Sequence, residues 1–187
     1  MFAMDLETLG TSEKSVVLSI AVTHFVPEND YTYEELITDR TCFVKFNVKE
    51  QMNDGRTCDK DSVEWWKKQC DIVKKKSLLP SSDDVTVVEG LTTVKEFIKK
   101  HRIEKDYVFI RGNLDNFCAD SLCKQYDVPV LFDYWEYFDF RTAIALTKET
   151  SSVHGYCDVP GFDRNLVYKH DPCHDNALEI MMLLYGK

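Results

Sequence analysis

Residues 3–22, AMDLETLGTSEKSVVLSIAV, hold two β-patterned runs separated by one turn, and the fold follows from reading them together. Residues 1–8 (MFAMDLET) and 15–25 (SVVLSIAVTHF) read as strands, the second β-branched and alternating over much of its length. Leu9-Gly10-Thr11-Ser12 supplies the turn, which predicts an antiparallel pair. Asp5 and Glu7 are two apart in the first strand, so the pleat puts both carboxylates on one face. Two acids on one face of an otherwise apolar strand are costly unless a cation neutralises them or that face is wet. The D-x-E spacing alone does not separate a metal site from a solvated edge strand.

Working outward, residues 42–48 read as a third strand before an Asn53-Asp54-Gly55 turn. Asp61 and Glu64 resemble a capping box opening a helix through Val63, Trp65, Trp66, Cys70 and Val73. An amphipathic helix is expected over 93–102, a buried strand over 107–110, a helix over 114–126 and a last strand over 128–132. A helix over 141–148, a loop over 149–169 and a final helix from Pro172 to about Tyr185 complete the chain. Antiparallel strands followed by an αβα segment predict an α/β domain. Its mixed β-sheet would be flanked by α-helices, the ribonuclease H-like arrangement.

The 187 residues, 44% hydrophobic, suffice for one core and predict a single domain over 1–187. No run approaches the roughly 18 apolar residues of a membrane helix, and no signal peptide is legible, so a soluble, unexported protein is expected. Seven cysteines without zinc-ligand spacing read as reduced thiols suited to cytosol. The net charge of −9 argues against strong binding to a phosphate backbone. Four site carboxylates cancelled by two divalent cations would leave about −5, which predicts weak, salt-sensitive binding.

Three further residues draw attention. Asp115 follows the 107–110 strand, at the strand end where ligand sites gather in open α/β sheets, and it reads alternatively as a helix cap. Asp120 lies deeper in that helix, where a solvated face is the expectation. His170 and Asp175 form H-x-x-x-x-D, the acid early in the last helix and the histidine on the incoming loop, where its near-neutral pKa suits proton abstraction. Asp158, Asp163, Asp171 and His174 nearby read as surface residues, and Lys74–Lys76 as a solvated helix end.

D-x-E near the N-terminus, D in the middle and H-x-x-x-x-D near the C-terminus resemble the ordered motif set of the DEDD exonuclease superfamily. His170, with Asp rather than Tyr at position 171, selects the DEDDh subclass. At closer range, residues 3–22, SVEWWKKQ (62–69), RGNLD (111–115), FDFRT (138–142) and HDPCHDNALEIMMLLY (170–185) are similar to two groups. These are the exonuclease A group of T-even bacteriophages and the small Rv2179c-like exoribonucleases. The resemblance implies a 3′-5′ exonuclease releasing 5′-mononucleotides from 3′ ends of single-stranded DNA or RNA, with DNA favoured. It implies two divalent cations held by Asp5, Glu7, Asp115 and Asp175, Asp5 bridging both, and His170 as general base. All-oxygen ligation argues for Mg²⁺ or Mn²⁺. Trp65, Trp66 and Phe117 are candidates for stacking on terminal bases, and Arg111 and Arg141 for phosphate contact; core packing and structural ion pairs are the plainer readings. The implied location is cytoplasmic, in the bacterial host if the chain is phage-encoded, with no membrane role and the oligomeric state open. A rival reading is a non-catalytic acidic mimic of nucleic acid, for which acids spread along a surface are expected instead of this ordered set.

Overall fold

The computed structural model describes every residue except 104, 105, 149, 151 and 153. Five strands, β1 (Phe2–Thr8), β2 (Val17–His24), β3 (Thr41–Lys45), β4 (Val108–Ile110) and β5 (Tyr137–Asp139), form one sheet in the order β3-β2-β1-β4-β5. The β3-β2-β1 part is antiparallel, while β4 runs parallel to β1 and β5 parallel to β4. With helices on both faces, this is the mixed ribonuclease H-like α/β fold that the strand pattern predicts.

The period-two alternation of β1 decides which helix goes where. Phe2, Met4 and Leu6 share a cluster with Ile20, Val22 and Val44, covered by α5 (Val87–His101) and α6 (Leu114–Gln125). Burying each such side chain stabilises by about 1.5–3 kcal/mol. The opposite face carries Ala3 and Phe109 and receives α1 (Tyr33–Ile37), α7 (Phe140–Thr147) and α8 (Pro172–Tyr185). Small side chains at Ala3 and Ala21 leave room for buried Asn176 of α8, whose Nδ2 donates to both their carbonyls at 3.4 and 3.1 Å. A third cluster, Leu9, Val16, Leu18, Trp66 and Val73, seats α3 (Lys60–Lys67) and α4 (Asp71–Val73) at the end of the sheet, and α4 runs on into a π-helical turn (Lys74–Leu78).

Several local expectations are corrected. The segment 128–132 is not a strand: Leu131 and Phe132 are buried for core packing and Pro129 removes a ladder donor, while the fifth strand is Tyr137–Asp139. The proposed Asp61/Glu64 capping box does not form. Residue Asp59 is the N-cap, its carboxylate accepts from Thr11 N at 3.1 Å, and Glu64 pairs with Lys67. Helix α5 starts at Val87, with a Thr86/Glu89 capping box, because Gly90 lets it pack on Phe46; a Cβ there would lie 2.5 Å from the ring. Helices α1 and α2 (Val48–Asn53) were not anticipated. The expected loop contains a 3-10 turn at Arg164–Leu166, and its residues 149, 151 and 153 lie outside the described ones. All seven cysteines are free thiols, and no helix among the described residues is long and apolar enough to cross a membrane.

Candidate active site

The acids arrive from three elements. On β1, Asp5 and Glu7 face the α8 side, and a register shift between Glu7 and Thr8 bends the strand just after them. From β4 the chain turns through Gly112, whose φ of +87° favours glycine, and enters α6 so that Asp115 falls in its first turn. Asp171 caps α8 through Cys173 N at 3.0 Å, Pro172 occupies the first turn, and Asp175 lies one turn in. Asp171 is therefore buried and structural, correcting the expectation of a surface residue.

One cleft of about 530 Å³ gathers Asp5, Glu7, Asp115, Asp175 and His170, with Arg111, Lys169 and Glu179 also on its walls. Glu7, His170 and Asp175 each offer a ligand atom within 4.8 Å of the others. His170 holds a left-handed backbone (φ +68°), and its N–H donates to Asp175 Oδ2 at 2.8 Å. A non-glycine residue in that region is uncommon, and such strain collects at functional sites. The ring meets Trp65 edge-on, 4.6 Å between centroids. Burial and then Lys169 lower its pKa below the ordinary histidine value, which keeps the imidazole neutral at pH 7.

Burial is the main cause that raises the carboxylates, and mutual repulsion adds to it. Asp5 is pushed well above the usual range by burial, then Asp115, Glu7 and Asp175; Glu7 behaves likewise. Burial carries Asp115 and Asp175 to about 7. Among the described residues none of these four is in an ion pair with Lys or Arg. An uncompensated set of oxygen donors in a part-buried cleft fits a hard divalent cation.

The other sequence candidates separate. Trp65 is 41% exposed and lines a groove that shares Leu6, Glu7 and Leu114 with the cleft. Trp66 is 1% exposed, and its indole N–H donates to the Thr8 carbonyl at 2.8 Å, so it anchors α3 to β1 rather than presenting a free face. Phe117 lies on a different groove, beside Lys14 and Lys124. Arg111 lines the cleft but its Nε and Nη2 donate to the two carboxylate oxygens of Glu179, while Arg141 pairs with Asp139 at 3.1 Å, so both make structural ion pairs. Glu179, a fifth acid, went unread; its place four residues after Asp175 on one helix was the available signal. Tyr156, stacked on Arg111 at 4.3 Å, carried no such signal.

An open mixed sheet of this order, with acids from its first strand and two helices meeting in a cleft over the central strands, defines a nuclease of ribonuclease H-like fold. The chain belongs to the Rv2179c-like 3′-5′ exoribonuclease domain family, whose model matches residues 1–178. It is also 27% identical to the exodeoxyribonuclease of Enterobacteria phage T4, over 99% of this chain and 88% of that protein. The protein is a 3′-5′ exonuclease, a hydrolase of nucleic acid whose family implies dependence on a divalent cation, which removes the acidic-mimic reading.

Proposed function

We propose that residues 1–187 act as a single DEDDh domain that removes 5′-mononucleotides from 3′ ends of single-stranded DNA. Asp5, Glu7, Asp115 and Asp175 hold two divalent cations, Mg²⁺ or Mn²⁺, and His170 is the general base. The observation that carries this reading is the meeting of four unpaired carboxylates with a neutral, strained histidine in one cleft. When bound, the cations supply charge neutralisation at the scissile phosphate and a more acidic water. His170 accepts the proton of the attacking water at its imidazole, whose orientation is held by Trp65 and by the backbone bond to Asp175. Trp65 and the adjoining groove at Leu6 and Leu114 receive the terminal base, and the exposed part of the indole offers a stacking face. The free thiols suit a reducing cytoplasm.

DNA is favoured because the phage relative is named an exodeoxyribonuclease; the family description favours RNA as the second reading. Digestion of matched 5′-labelled single-stranded DNA and RNA with Mg²⁺ or Mn²⁺ tests both. A descending ladder, mononucleotide release and inhibition by a 3′-phosphate are expected, faster on DNA. Faster loss of RNA selects the second reading, and efficient cutting of a circular single strand overturns the exonuclease mechanism.

A further inference from the structure

Rows of side chains on the α8 face continue past the cleft to the β3 edge of the sheet. Glu7 pairs with Ser19 and Ser19 with Lys45, while Asp5 pairs with Ala21 and Ala21 with Phe43. Directly opposed residues point to the same side, so Phe43 and Lys45 stand on the face of the cleft acids, two strand spacings or roughly 10 Å away. The π-helical turn lies across this edge. Its buried Ser77 shares a hydroxyl hydrogen bond of 2.8 Å with Ser19, and Lys45 Nζ donates to the carbonyls of Lys75 and Leu79. Lys45 also pairs with Asp84 at 3.2 Å, so its charge is satisfied internally.

Lys75 and Lys76 are placed differently. Both line a groove of about 660 Å³ that wraps the β3 edge, with Phe43 and Ile72 beside them and Val44, Val85 and Thr93 on its α5 side. Lys76 Nζ sits 4.1 Å from the centre of the Phe43 ring, which holds the ammonium over the groove. Lys74 pairs with Asp71 at 2.8 Å, but neither Lys75 nor Lys76 is in an ion pair among the described residues. π-Helical turns inside helical segments frequently mark functional sites. On a chain of net charge −9, two unpaired ammonium groups beside a groove at the β3 edge of the sheet are the complement of a polyanion.

We propose that this groove is a second nucleic-acid contact, in which Lys75 and Lys76 bind phosphates of the single strand upstream of the 3′ terminus seated in the cleft. The inference rests on the exonuclease reading for what the strand is, and on strand register for where it runs. It is tested with Lys75→Ala/Lys76→Ala against Lys75→Arg/Lys76→Arg. Binding of a fluorescent single-stranded 20-mer is read by anisotropy in EDTA, so hydrolysis plays no part. The alanine pair is expected to weaken binding about tenfold and the arginine pair to retain it. The slope of log affinity against log salt should fall by about 1.4, the value for two single-strand phosphate contacts. In hydrolysis with Mg²⁺, the alanine pair should lose more on the 20-mer than on a dinucleotide. Unchanged 20-mer affinity and salt slope, or an equal loss at both lengths, overturns the groove. Failure of the wild type to hydrolyse either substrate overturns the exonuclease reading and leaves the EDTA measurement to judge the groove.

Discussion

Two histidines four residues apart have different surroundings. His170 lies in the cleft against Trp65, whereas His174 turns away, its Nδ1 2.8 Å from the Tyr33 hydroxyl and its ring edge-on to Tyr168. As general base, His170→Ala should lower turnover by about 10²–10⁴-fold with metal affinity little changed. Losing the Tyr33 bond in His174→Ala should cost about 1 kcal/mol of stability and less than tenfold in rate. Single-turnover rates and titration of Mn²⁺ into both variants decide the matter, and a larger catalytic loss at His174 sinks the assignment. A large loss of metal affinity in His170→Ala would make it a ligand, a role its distance to Glu7 and Asp175 permits.

At the scale of elements, the site depends on β1, α6 and α8 holding like charges together. Asp115 and Asp175 titrate near 7 in the fold, well above a free carboxylate. The folded state therefore binds more protons than the unfolded one, and the stability from this cluster, present below pH 4, is lost as pH rises through about 7. In EDTA the melting temperature should accordingly gain from acidification between pH 8 and 5.5. Millimolar Mg²⁺ or Mn²⁺ should raise it at pH 8 and flatten that dependence. Asp5→Asn should abolish hydrolysis while stabilising the metal-free protein by on the order of 1 kcal/mol, since one of several repelling charges is gone. An Asp5→Asn protein that melts lower in EDTA and keeps wild-type activity would refute the charge-cluster account. Helix α3 is tied to β1 by Trp66: Trp66→Ala should cost about 3–5 kcal/mol in urea unfolding, and Trp66→Phe about 1 kcal/mol for the lost bond to the Thr8 carbonyl.

Across the whole molecule, acid acts in two opposed ways. His24, at the far end of β2 from the cleft, has its pKa lowered to about 4 by burial, then by the N-terminal charge, Arg40 and His101. Arg40 Nη2 donates to its Nδ1 at 2.8 Å, a bond that needs the neutral ring. The unfolded chain takes up this proton near pH 6.5 and the folded one only near 4. His24 therefore destabilises the fold progressively as pH falls through that window. Comparing His24→Gln with wild type in EDTA isolates the effect from the carboxylates: the stability difference should shift in favour of the variant from pH 6.5 to 4, and a pH-independent difference would contradict the argument.

Within the sequence itself, alternation in residues 2–8 and 17–24 determined the central strand pair and put Asp5 and Glu7 on one face. Pro172, suited to a helical first turn, likewise determined where α8 begins and so where Asp175 lies, while the Asp171 cap came to light only in the fold. These features are local, governed by pleat and helix periods that a single run of residues carries. Tertiary contacts decided the rest. Leu131 and Phe132 look like a strand but are drawn into the core, so β4 takes its edge partner from Tyr137–Asp139 instead. Trp65 and Trp66, adjacent in sequence, divide between cleft rim and core because α3 docks on Leu9, Val16 and Leu18. Arg111 meets Glu179, and His170 and Asp175 meet Asp5 and Glu7, only once α8 lies across β1 and β2. Such partners are far apart along the chain or compete with several equivalents, and only packing of the whole sheet and its helices selects among them.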